Sequence, residues 1–157
     1  MKKPMYLAIA LAVLLCVAIA QEKPWFDLKN CEFCKQLDAQ PGLIKHMSTE
    51  YHNIDGGYLQ ITQIDKEYQD AFKKAQTAME KVVADMQSTG KIPPMCQHCS
   101  TYGAFLMTGV HNQYIHSAFG EIVMMTSPDT AMVTKLQAFA ARTAQETEKL
   151  MAEMKAK

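Results

Sequence analysis

The spacing of apolar positions changes several times along the chain, and each change marks a predicted element. Met5 to Ala20 is an unbroken, almost wholly apolar run of 16 residues. An irregular lead-in follows at 21–30, holding Pro24, Trp25 and Phe26, and Cys31 then opens a short helix that Pro41-Gly42 interrupts. From Tyr51 to Ile64, β-branched and aromatic residues flank Asp55-Gly56-Gly57, the pattern of a β-hairpin whose turn needs the positive φ that glycine tolerates. Asp65 is placed to cap the next helix. Along it Tyr68, Phe72, Ala75, Met79, Val82 and Met86 recur at steps of four and three, forming one apolar stripe that ends at Gly90 and Pro93-Pro94.

The same order begins again at Cys96. A helix to about Thr108 precedes a second hairpin, Tyr114 to Thr126 with Gly120 at its turn, and Ser127-Pro128-Asp129 starts a long helix. Its stripe of Met132, Leu136, Phe139, Thr143, Glu146, Leu150 and Met154 falls on the first helix's stripe at a shift of 64. Cys31 matches Cys96, Cys34 matches Cys99 and His46 matches His111 at a shift of 65; His52, Gly56, Thr62 and Asp65 match His116, Gly120, Thr126 and Asp129 at 64. These observations predict an α+β fold of internally duplicated helix–hairpin–helix units, 27–91 and 92–157, within one domain spanning 21–157. An isolated hairpin is marginal, so the two hairpins are expected to join into one antiparallel sheet covered by helices on one side.

The apolar run at the N-terminus is bounded by Lys2-Lys3 and by Ala18-Ile19-Ala20, which together make a secretory signal with an A-x-A cleavage site. A membrane-spanning helix needs about 20 apolar residues, more than this run supplies. Cleavage is expected to leave a secreted or periplasmic chain of 137 residues beginning at Gln21, with no stable membrane insertion. That chain carries 14 basic and 16 acidic side chains, a net charge of −2. Neither this balance nor any local cationic run favours a phosphate backbone, so nucleic acid is excluded as the expected partner. A protein partner and the oligomeric state stay open.

Removing the signal also removes Cys16, and the remaining cysteines form two C-x-x-C pairs, Cys31/Cys34 and Cys96/Cys99. An even number in an exported chain permits disulfides, and a bridge between the halves closes a far longer loop than one within a pair. Spacing alone also approaches a two-cysteine, two-histidine zinc pattern twice, with His46 and His52 following the first pair and His111 and His116 the second. A helix running from Cys99 to His111 would separate them by about 18 Å, which argues against local sites. Convergence of both pairs on one tetrahedral zinc is the better reading, with His98 as an additional candidate ligand. Cys31, Cys34, Cys96, Cys99, His46, His111 and His98 are therefore the candidate metal residues, and Met95 beside Cys96 admits copper(I) as the alternative ion. Thiol–disulfide chemistry is the runner-up; only ten mature residues precede Cys31, too few for the strand–helix–strand of a thioredoxin fold. Lys35 and Ser100 stand where haem attachment requires histidine, and no hydrolase, phosphate-loop or dinucleotide motif occurs. The chain is thus expected to be a non-catalytic metal binder, with a disulfide-stabilised ligand- or partner-binding module as a third class.

Overall fold

A computed structural model describes residues 23–156. The predicted signal and its cleavage site lie outside the described residues. Among those described, four α-helices and four strands follow in the order α1 (Cys34–Asp38), β1 (Met47–Ile54), β2 (Gly57–Ile64), α2 (Gln69–Thr89), α3 (Gln97–Leu106), β3 (His111–Ser117), β4 (Gly120–Thr126) and α4 (Thr130–Lys155). Short 3-10 turns at Leu43–His46 and Lys66–Tyr68 lead into β1 and α2. The fold is α+β with a single antiparallel sheet in the order β1-β2-β4-β3.

The first strand of each hairpin is an edge and the second lies at the centre, so β2 and β4 form the seam between the halves. The seam depends on two glycines. A Cβ on Gly57 would lie 1.8 Å from the Met125 carbonyl oxygen, and one on Gly120 would lie 2.1 Å from that of Thr62. Side chains at either place would push the central strands apart. This corrects the sequence reading of the second hairpin, whose turn is Ala118-Phe119 rather than Gly120. Gly120 opens β4 and answers to Gly57, because the adjacent backbone, not the turn, demands a missing side chain. It follows that β3 begins at His111 and that His116 faces Glu121.

Pleating puts Tyr58, Thr62, Ile64, Glu121, Val123 and Met125 on one face. α4 covers the Tyr58 end of that face. Leu136, Phe139, Ala140 and Thr143 are buried on α4, in the phase that its stripe predicts, and Phe139 packs against Tyr58, Trp25 and Phe105. The Tyr58 hydroxyl, fully buried, donates to Met125 Sδ at 3.0 Å. α2 covers the other end, where Phe72 and Ala75 meet Leu43 and Ile64 in a smaller core. Gln76 of α2 donates to Glu121, whose carboxyl burial holds above the ordinary glutamate range.

The helix starts differ. Asp129 caps α4 as the sequence predicts, its Oδ1 accepting from the Ala131 N–H at 2.9 Å. Asp65 makes no such bond: its carboxylate is taken by His46 Nδ1 at 2.7 Å, and a 3-10 turn intervenes before α2. The element order therefore recurs while the offset between equivalent positions drifts, from 65 at the cysteines to 63 at the hairpin registers. A repeated topology is what the structure supports; the hairpins correspond at 63 rather than at the shift of 64 expected from the sequence, and the topology alone does not establish a duplication.

Two consequences are measurable by urea unfolding. Gly57→Ala and Gly120→Ala should each lower stability by about 3 kcal/mol, the upper range of overpacking strain, whereas Gly103→Ala on α3, where the added methyl meets nothing within 4 Å, should raise it by about 0.5–1 kcal/mol. Glu121 supplies a pH test. Because its folded pKa is raised, the folded state holds the proton more tightly than the unfolded chain, and stability falls as pH rises through that window. Glu121→Gln keeps an acceptor for Gln76 and should stabilise the protein at pH 7, with the gain vanishing below the ordinary glutamate range; a gain equal at both pH values would contradict the burial argument.

Candidate metal centre

Local sequence shapes each C-x-x-C differently, yet both straddle a helix start. Before the first pair, Asp27 folds back on itself: its Oδ1 accepts from the N–H groups of Lys29 and Asn30, at 3.1 and 2.8 Å. The Cys31 N–H then donates to the Asp27 carbonyl, so Cys31 sits in this turn and Cys34 begins α1. The second pair opens α3 directly. Cys96 is the N-cap residue, and its Sγ accepts from the Cys99 N–H at 3.5 Å. The remaining free N–H groups of that helix end, on Gln97 and His98, donate to the carbonyls of Pro24 and Trp25. The irregular lead-in thereby serves as the outer half of the α3 cap.

Across the halves, the Glu32 N–H donates to the Pro94 carbonyl at 2.9 Å and draws the two loops together. Four sulfurs converge there. Cys34 Sγ lies 3.5 Å from Cys96 Sγ and 3.7 Å from Cys99 Sγ, and all four sulfurs lie within 4.8 Å of one another. Cys31, Cys34 and Cys96 are buried and Cys99 is half-buried, under a cover of Phe26, Leu28, Phe33 and Met95. No pair is at disulfide distance, which is about 2.05 Å. A tetrahedral ion bound at about 2.3 Å by four sulfurs sets them about 3.8 Å apart, close to the spacing found.

The protonation pattern has the same origin. Cys96 Sγ lies 3.5 Å from Cys34 Sγ and accepts from the Cys99 N–H, and its hydrogen bond with Cys34 is the chief cause that pushes its pKa down. Cys34 is pushed up by its bond to Cys96, and Cys99 by its bonds to Cys34 and Cys96. One negative sulfur suppresses ionisation of its neighbours, as like charges must at this separation. A divalent cation held there would reverse that balance and let all four ionise together.

The histidines separate from this group. His98 stands nearest, with Nδ1 3.9 Å from Cys99 Sγ, but its ring is packed among Phe26, Trp25, Phe139 and Tyr102, and burial drives its pKa down to about 4. It is a neutral aromatic wall beside the sulfurs. His46 stacks on Tyr68 at 3.9 Å while binding Asp65, and His111 is exposed at the start of β3. Neither belongs to the four-sulfur group. The wall also contains residues that belong to no motif in the sequence. Trp25 is covered by the Arg142 guanidinium, 4.2 Å above its ring, and Arg142 reaches on to the Gln97 side chain. Only the closeness of Trp25 to Cys31 in sequence hinted at this role; Arg142 is brought in from 43 residues beyond Cys99 by α4.

The fold and site together define an α+β protein with a four-cysteine centre formed between its halves. Comparison with protein-family models, with curated proteins and with solved structures gives no match.

A shared centre differs from two separate ones in its mutational arithmetic. Changing Cys31 and Cys34 to serine should abolish zinc binding as completely as changing Cys96 and Cys99, because neither pair supplies more than two ligands. The stability losses of the two double variants, measured in zinc-loaded protein, should be strongly non-additive when combined. Half-occupancy in each double variant, with losses summing to within about 0.5 kcal/mol, would instead indicate independent sites.

Proposed function

We propose that this protein is an exported, non-catalytic metal binder in which Cys31, Cys34, Cys96 and Cys99 hold one ion, best matched by zinc. The observation that carries the reading is the convergence of four sulfurs, two from each half, within 4.8 Å of one another. Tetrahedral all-sulfur sites suit zinc, or iron, over the harder divalent ions, and zinc adds no redox chemistry of its own. Four thiolates close the coordination shell and leave no position at which a substrate could be activated, so the ion acts as a clamp. It would join α1 to the start of α3 and supply folding free energy that the unfolded chain cannot collect.

Copper(I) is the alternative ion, supported by Met95, which packs against the cluster. Thiol–disulfide exchange is less well served. Its attacking sulfur must be reached from solvent, yet three of the four are buried and only Cys99 is partly open. Export is argued from residues 1–20 alone, and the described residues contain no helix long and apolar enough to cross a membrane.

Native mass spectrometry of protein taken from its own compartment tests both parts. The expected species begins at Gln21 and carries one zinc ion, lost together with four-sulfur coordination on treatment with a strong chelator. A metal-free mass lowered by four hydrogen atoms, two for each bridge, would replace the metal reading with two disulfides. Protein beginning at Met1 in the membrane fraction would overturn the export assignment.

A further inference from the structure

Charged side chains make up 20% of this sequence, yet none occurs in the 29 residues from Ile92 to Gly120, which include α3 and β3. The same stretch gathers exposed apolar groups. Of the seven large hydrophobic side chains exposed among the described residues, six lie within it: Ile92, Leu106, Met107, Tyr114, Ile115 and Phe119. Five of those border one element, the edge strand β3.

Among the described residues, the backbone of β3 is also unpaired on its outer side. Ile64 N–H donates to the Phe119 carbonyl and Ser127 N–H to that of Gly56, so Glu121, Val123 and Met125 direct their backbone groups at β2. The alternate residues of β4 therefore bond β3, through Ser117, Ile115, Gln113 and His111. Asn112, Tyr114 and His116 are left with N–H and C=O groups turned to the free edge. Edge strands are normally defended against pairing by charge, proline or a bulge. The other edge, β1, carries Glu50 beside His52, whereas β3 has no lysine, acid or proline.

We propose that β3 is a dimer interface, pairing antiparallel with β3 of a second copy of this chain across a two-fold axis near Tyr114. Self-pairing is favoured because the apolar groups lie at both ends of the strand, Leu106 and Met107 before it and Phe119 after it. Antiparallel pairing sets the start of one strand beside the end of the other, so these groups meet across the axis twice. The lack of charge removes like-charge repulsion between identical surfaces. On the sheet face away from α2 and α4, the row Ile61, Ile122 and Ile115 runs across the strands and stops at the β3 edge with Ile115 44% exposed. With the axis at Tyr114, Ile115 lies opposite Gln113 of the second copy, whose row runs on through Met124 and Leu59, and the pairing joins two sheets of four strands into one.

Sedimentation of the zinc-loaded protein as the cell processes it, over about 1–100 µM, should show a reversible dimer. Ile115→Lys places two ammonium groups near the axis and should raise the dissociation constant by about 100-fold, with zinc content unchanged. His52→Lys, at the corresponding place on β1, should leave the dimer intact. Hydrogen exchange on the unaltered protein decides the matter even if Ile115→Lys does not fold: the amides of Asn112, Tyr114 and His116 should be protected at high concentration and lose protection on dilution. A monomer throughout this range with those amides unprotected would overturn the proposal. So would dissociation by His52→Lys with no effect of Ile115→Lys, or an open-ended series of oligomers, the signature of β3 pairing with β1.

Discussion

Close backbone pairing of β2 with β4 is the constraint on which the remainder of this structure rests. Each hairpin alone exposes one face and two edges, and its stability in water is marginal. Joining them along the seam produces a four-stranded sheet, and the join is possible because Gly57 and Gly120 carry no Cβ where the neighbouring carbonyls approach. Once the seam exists, the helices have a common surface. α4, which follows the second hairpin, lies over Tyr58 of the first as well as Met125 of the second, so its burial of Leu136 and Phe139 stabilises both.

The sulfur cluster depends on that arrangement. Cys34 and Cys96 are separated by 62 residues, and their meeting requires the first hairpin and α2 to return the chain to its starting point. Cys34 shares hydrogen bonds with Cys96 and Cys99, and this sharing pushes the pKa of Cys96 down and those of Cys34 and Cys99 up. A bound ion would turn this group of mutually inhibiting acids into thiolates held by one opposite charge and would close the chain between them into a loop. The Glu32–Pro94 backbone bond and the capping of α3 by Pro24 and Trp25 hold the two loops in place on either side of the sulfurs. His98, neutral and surrounded by aromatic rings, adds bulk and excludes water without adding charge.

Much of this was legible in the order of residues, because local rules suffice for it. The apolar stripe of α4 predicts which of its side chains are buried, Asp129 marks its start, and Asp55-Gly56 marks the first turn, since helix phase, capping and turn geometry are decided within a few residues. The antiparallel sheet and the candidacy of the four cysteines followed from pattern and pairing of motifs. What the order of residues could not decide was every question of distance. Gly120 looks like a turn residue until the neighbouring strand is in place, and Asp65 looks like a helix cap until His46 arrives to take its carboxylate. Cysteine spacing is equally compatible with local sites, disulfides or a shared ion. Only the tertiary structure brings the four sulfurs together and leaves His46 and His111 elsewhere, because the placement of groups sixty residues apart is determined by sheet pairing and core packing rather than by either motif.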